Sequence, residues 1–309
     1  MKLKNIFFAV ILAVIALAAC DKISQAIIPK SVASILPTTP PAFIDSSATT
    51  GTNSFNQYKM LLEVCGGHLC TNCPLGETDA ESVLISPIGG HVVFMQDEMG
   101  PLAAAELEAG YPDSAFMKVY QCAADSNWYY SFSPNQFPWG LVNREGNWAF
   151  NLYLNYQDSC NLIVGRATGP AVTIDIHDSC WTNPRIIGAT FKVKFLETLP
   201  TTATYALETL IVEDSIYDWQ DNNGIYQSNY LHRNILRGAF GNNTGGNAYG
   251  IALSNTTVGN TFTSFQTYDF TNGEYGKAKA WNMAHCYIVA YVFNETTNEV
   301  VQAEMIKVE

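Results

Sequence analysis

Lys59-Met60-Leu61-Leu62-Glu63-Val64-Cys65-Gly66-Gly67-His68-Leu69-Cys70-Thr71-Asn72-Cys73-Pro74 is the stretch on which the reading of this chain turns. Its first part is apolar and strand-like, a pair of glycines follows, and a Cys-x-x-Cys-Pro then opens what reads as a helix. Two cysteines three positions apart at the first turn of a helix can close a small disulfide. The first of them sits where backbone N–H groups and the helix dipole favour a thiolate. Cys70 is expected to be the attacking thiol and Cys73 the resolving one. A Cys-x-x-Cys thiol can have its pKa lowered from about 8.5 to between about 3.5 and 7.5, and His68, two residues upstream, is a group that could tune it or meet a substrate.

Working outward, Gly90-His91-Val92-Val93-Phe94-Met95 is a short apolar run of the kind that makes a buried strand, and Pro101 to Glu108 has a helical composition. Strand, helix, strand, helix is the pattern of a parallel sheet. Gly140 to Trp148, with Glu145-Gly146-Asn147 at its centre, reads as a closing hairpin. A thioredoxin-like fold arranges its elements this way, and it places a cis proline before that hairpin, facing the dithiol. Pro138 in Phe137-Pro138 is the candidate, against a general preference for trans bonds. Trp139 beside it is the aromatic expected to line a substrate groove. Glu63 admits two roles: accepting the proton of the resolving thiol, or capping a neighbouring backbone N–H. Cys65 reads as a small buried hydrophobe.

The N-terminus carries Lys2 and Lys4, then twelve unbroken apolar residues from Ile6 to Leu17, then Leu17-Ala18-Ala19-Cys20. This is an export signal ending in a lipobox. The apolar run is too short to span a bilayer, so residues 1–19 are expected to be removed and Cys20 to be lipidated. Residues 20–54, rich in Ser, Thr, Ala and Pro, form a flexible tether. Residues 55–165 are then assigned to the thioredoxin-like α/β domain and 166–309 to an all-β, immunoglobulin-like sandwich. The sandwich rests on apolar runs at 171–176, 189–195 and 204–212 and on a final hairpin from His285 to Val308.

A net charge of −12 leaves no basic stripe for phosphates and excludes nucleic acid as the partner. With Cys20 set aside from the eight cysteines, an odd number remains, so at least one is free or paired to another chain. Cys160 and Cys180 are candidates for a disulfide, whose loop closure would contribute roughly 3 kcal/mol. No metal site is expected. A zinc reading of Cys65, His68, Cys70 and Cys73 would pack four ligands along one strand-to-helix turn, where they would struggle to converge tetrahedrally. No cofactor motif and no hydrolase motif is present.

With these residues quoted, the chain resembles the Bacteroidetes lipoprotein family named after a twenty-eight-kilodalton outer-membrane protein. The matching stretches are Leu61-Leu62-Glu63 leading into Gly67 to Pro74, the block Phe137 to Arg144, and Tyr230 to Arg237. The resemblance implies a thioredoxin-like fold followed by a β-rich domain on an outer-membrane lipoprotein, in a family assigned surface and adhesion roles as well as redox ones. The cysteines at 65, 122, 160, 180 and 286 depart from its shared pair.

Two functions follow as expectations. One is a membrane-tethered thiol-disulfide oxidoreductase in the cell envelope, most simply at the outer membrane, acting on cysteine-containing envelope or secreted proteins. The other is a surface adhesion or binding lipoprotein in which the redox fold is a structural platform.

Overall fold

The computed structural model describes residues 57–103, 116, 118–145, 156–183, 185–241, 250–271 and 280–309. The expected leader, Cys20 and the tether lie outside them.

Strand β1 (Met60–Gly66) is buried at every position, as a strand covered on both faces must be. Helix α1 (Cys73–Leu84) follows, with Pro74 in its first turn, where a missing N–H leaves no bond unmade. Strand β2 (Val92–Glu98) runs parallel to β1 from Met60↔Val92 to Gly66↔Glu98. After helix α2 (Ala123–Phe132), strand β3 (Trp139–Val142) lies antiparallel on the other side of β1, with Cys65 opposite Trp139. Helix α3 (Tyr156–Arg166) completes this half. The expected helix at 101–108 begins as a short 3-10 turn over Pro101–Ala103, and its remainder lies outside the described residues. So does the second strand of the hairpin expected at 140–148.

The β-rich half contributes β4 (Val172–Thr182), β5 (Arg185–Phe195), β6 (Tyr205–Glu213), β7 (Ile216–Asn222), β8 (Ile225–His232), β9 (Ile235–Ala239), β10 (Ile251–Ala252), β11 (Thr261–Asp269), β12 (Cys286–Asn294) and β13 (Val300–Lys307). Apart from β7 and β8, these strands pack as two layers, but one of the two layers is shared with the first half of the chain. One mixed sheet runs β13-β12-β6-β9-β2-β1-β3, with β10 on β6, so it crosses the boundary expected at 165/166. The seam is narrow: β9 meets β2 in parallel at Gln96↔Ile235, and Gln96 N donates to Asn234 O at 2.9 Å. An unpaired outer edge on β2 would expose a row of backbone groups, and β9 fills it. A three-stranded sheet, β11-β5-β4, forms the second layer of the β-rich half.

Side chains alternate across the large sheet and build three cores. On one face, Leu61, Met95, Leu141, Leu210 and Tyr291 pack with Trp128 of α2. On the opposite face, α1 and α3 cover β1 and β2 through Val83, Cys160, Ile163, Leu62 and Phe94. Further along that face, Phe191 and Val193 of β5 pack on Ile211, Ile288 and Val292.

Candidate functional site

The site grows from the end of β1. Gly66 lies against Cys73, so that a Cβ there would stand 2.7 Å from the Cys73 Sγ. Gly67 lies against the 101–103 turn, where a Cβ would fall 2.3 Å from the carbonyl carbon and oxygen of Leu102. Two glycines are therefore what allow the chain to pass between the helix start and that turn. Leu69 N donates to Leu102 O at 3.0 Å and Cys70 N to Gly67 O at 2.9 Å, which fixes the loop. Cys70 and Cys73 are joined as a disulfide with their Cα atoms 5.3 Å apart, Cys73 being the first residue of α1.

The Phe137–Pro138 peptide is cis. Because Cys65 pairs with Trp139 in the antiparallel β1–β3 ladder, the next register step sets Pro138 beside Gly66, the residue that touches Cys73. Cys70, Cys73 and Pro138 are thus brought to one end of the sheet.

That end is closed. Cys70 is 4% exposed and Cys73 is fully buried, so the sulfur expected to attack is shielded from solvent. The cover is the β7–β8 hairpin. Gln220 Nε2 donates to Cys70 O at 3.0 Å, Asp221 N to His68 O at 2.9 Å, Asn223 N to Thr71 O at 2.9 Å and Gly224 N to Thr71 Oγ1 at 2.8 Å. The strands read from the sequence leave 216–232 unassigned, so this element was missed. Its signal was present in Asn223-Gly224, a pair suited to a two-residue hairpin turn, between Asn222 and Ile225.

His68 and Trp139 do not rim a groove. His68 is buried with its ring 5.4 Å from Phe116 and 5.5 Å from Tyr120, and Trp139 faces the α2 core with its ring 6.1 Å from Phe132. Glu63 takes neither expected role. Its position on β1 points it to the α2 face, away from α1, and there Arg144 holds both of its oxygens, Nε to Oε2 at 2.7 Å and Nη2 to Oε1. Arg144 also donates to Tyr291 Oη at 2.9 Å and lies over the rings of Trp128, Tyr291 and Phe132.

The carboxylates on the α1 side are two that sequence reading passed over. Glu77 is one turn after Cys73, and Glu98 pairs in register with Gly66. Gln96 Nε2 donates to both, at 2.8 Å each, and Tyr230 Oη of the hairpin donates to Glu77 at 2.6 Å. Burial pushes the Glu77 carboxyl up to about 7, against the hydrogen bonds from Tyr230 and Gln96; burial and then the neighbouring Glu77 push Glu98 well above the usual range. A carboxyl whose pKa is raised by folding contributes stability that is complete below its unfolded value, near 4.5, and is lost as pH rises through 7. Between pH 5 and pH 8 the wild-type protein is expected to lose about 2–3 kcal/mol through Glu77. Urea unfolding at the two pH values checks this, and Glu77→Gln should flatten the difference by that amount.

Cys160 and Cys180 are not bonded to each other. Cys160 belongs to the core under α1 and α3, where burial raises its thiol pKa to about 12, whereas Cys180 packs at the edge of the core between the two sheets. Cys65 is fully buried, its thiol 3.7 Å from Asp97 Oδ2, and burial then the Asp97 charge hold it protonated. Among the described residues, no three His, Cys, Asp or Glu side chains converge as metal ligands. The disulfide also occupies two of the four ligands of the zinc reading.

The model of the family described as outer membrane protein Omp28 matches residues 125–309, well over half of the chain. The chain belongs to the Omp28 family. Omp28 membership supports an outer-membrane or envelope location. Among solved structures, HBP35 of Porphyromonas gingivalis is similar at a TM-score of 0.60 and 14% identity, over 82% of this chain and 76% of its own. A domain of the outer membrane lipoprotein Omp28 from Porphyromonas gingivalis aligns at 20% identity and a TM-score of 0.30, over 45% of this chain and 89% of its own. No curated protein matches the chain.

Proposed function

We propose that this protein is a lipid-anchored envelope protein whose first half is a thioredoxin-like module and whose Cys70–Cys73 pair exchanges disulfides with cysteines of envelope or secreted proteins. The observation that carries the reading is the meeting of three parts at one sheet end: the disulfide at the start of α1, the β1 terminus at Gly66 packed on Cys73, and Pro138 one register step away. The order β2-β1-β3, with the strand that leads into the disulfide at its centre, supports the module assignment. In exchange, a partner thiolate attacks the Sγ of Cys70 and forms a mixed disulfide, while Cys73 leaves as a thiolate and takes up a proton. A second thiolate of the partner then attacks the partner sulfur of the mixed bond, forming the partner's own disulfide and releasing Cys70 as a thiolate that takes up a proton, so two electrons pass to the pair. In the reverse direction the Cys70 thiolate attacks a partner disulfide and Cys73 resolves the mixed bond.

Cys73→Ala removes the resolving step. Expressed in the native envelope, this variant is expected to accumulate covalent, thiol-reversible adducts on Cys70, visible as slow-migrating bands that vanish on reduction. A Cys73→Ala protein that carries no adduct rejects the reading.

The burial of both sulfurs favours a second reading, in which the disulfide is a fixed staple on a binding protein. The reduction potential separates the two. A structural bridge lies below about −300 mV, and a working one lies above it.

A further inference from the structure

We propose that the β7–β8 hairpin is a removable cover, occupying the edge of the 68–71 segment that an extended polypeptide partner would otherwise take. The proposal rests on the exchange reading and adds to it the regulation of the site.

Four observations carry it. First, the hairpin pairs with no strand of either other sheet. It closes on Asn223 and Gly224, at φ 54° and 77°, a two-residue turn suited to a hairpin. Second, its two roots each hold a non-glycine residue in the left-handed region, Ser215 at φ 59° and Asn234 at φ 48°. Such positions are disfavoured and concentrate where a segment changes conformation. Third, main-chain bonds tie one edge of the hairpin to the turn over 68–71: Asp221 N and Asn223 N donate to the carbonyls of His68 and Thr71, so backbone rather than side chain is what that turn recognises. When the hairpin leaves, the His68 and Thr71 carbonyls need N–H donors from another backbone, whose side chains they would not read, while Cys70 O keeps its bond from Cys73 N. Fourth, Trp219 and Tyr226 rest on Phe116, with centroids 6.0 and 5.7 Å away, while Tyr217 and Ile225 of the same hairpin are largely exposed. The cover has no apolar core of its own: it is held by ring contacts, by the edge bonds, and by polar contacts of Tyr230 with Glu77 and of Asp218 with Tyr120 and Lys118.

The test is the rate at which dithiothreitol reduces the wild-type protein. Its thiolate attacks Cys70 Sγ, the Cys70–Cys73 bond breaks, and Cys73 leaves as a thiolate and is protonated. The second dithiothreitol thiol then closes its own ring and releases Cys70, so that two electrons pass to the pair. With a cover, the rate should level off at high dithiothreitol, at the rate of hairpin opening. The plateau should rise at least tenfold in Gln220→Ala, and should also rise on adding an unfolded polypeptide whose cysteines are alkylated. The Asp221 and Asn223 amides should exchange with solvent no faster than that opening allows, a wild-type measurement that stands even if Gln220→Ala does not fold. A rate that stays proportional to dithiothreitol, with freely exchanging amides, overturns the cover. A plateau found together with an adduct-free Cys73→Ala protein keeps the cover and rejects exchange with partners.

Discussion

Replacing Arg144 by alanine is expected to destabilise the protein by about 3–5 kcal/mol, because it strands a buried carboxylate. Glu63 is fully buried and has both oxygens held by the Arg144 guanidinium. Two more acids share the region: the Asp97 carboxyl is pushed up first by burial, then by Glu63 and Asp125, and Arg144 is the charge that opposes them. Removing Arg144 also empties the space between the rings of Trp128, Phe132 and Tyr291. Denaturant unfolding of Arg144→Ala measures the total. The double variant Glu63→Gln/Arg144→Met should recover much of the loss, since it removes the stranded charge and refills the volume. A cost below about 1 kcal/mol for the single change would mean that the pair contributes no more than an exposed one, contrary to its burial.

The second large effect is expected at Gly67→Ala. Here the obstacle is backbone, with Leu102 C and O at 2.3 Å and Ala103 N at 2.6 Å from the new carbon, so no side chain can swing aside. The loop must move away from the 101–103 turn, and the bond from Leu69 N to Leu102 O goes with it. Overpacking of this kind costs about 1–3 kcal/mol, and the lost bond adds about 1 kcal/mol more. Gly165→Ala is the matching control. It lies in α3 with nothing within 4 Å of the added carbon, and should stabilise by about 0.5–1 kcal/mol. Thermal unfolding of the two variants should therefore shift in opposite directions.

Much of the local structure was legible because it is local. The apolar runs at 59–64, 90–95 and 204–212 became β1, β2 and β6 within a few residues, and the final hairpin became β12 and β13. The cysteine pair was readable from its spacing, and Pro138 from its place before a strand. What escaped was set by partners far along the chain. Nothing in Glu63 announces Arg144, eighty-one residues away, so a carboxylate beside a dithiol looked like a proton acceptor. His68 and Trp139 look like groove residues in sequence, but Phe116 and Tyr120 pack on His68 after the end of β1, and alternation along β3 turns Trp139 inward onto Phe132. The β7–β8 hairpin was hidden because its exposed positions lack the alternation that marks a half-buried strand. The joining of the two halves into one sheet was equally hidden, because a single parallel bridge between β2 and β9 leaves no trace in composition.

That seam bears on how the molecule can be cut. A recombinant piece trimmed to the span common to the family, 125–309, would discard β1, β2 and α1 while keeping β3 and β9. Both survivors would be left with raw borders, a ready template for stacking between molecules. The stretch by which relatives recognise one another is thus not a self-sufficient unit, and solubility of the trimmed piece would depend on strands that lie outside it.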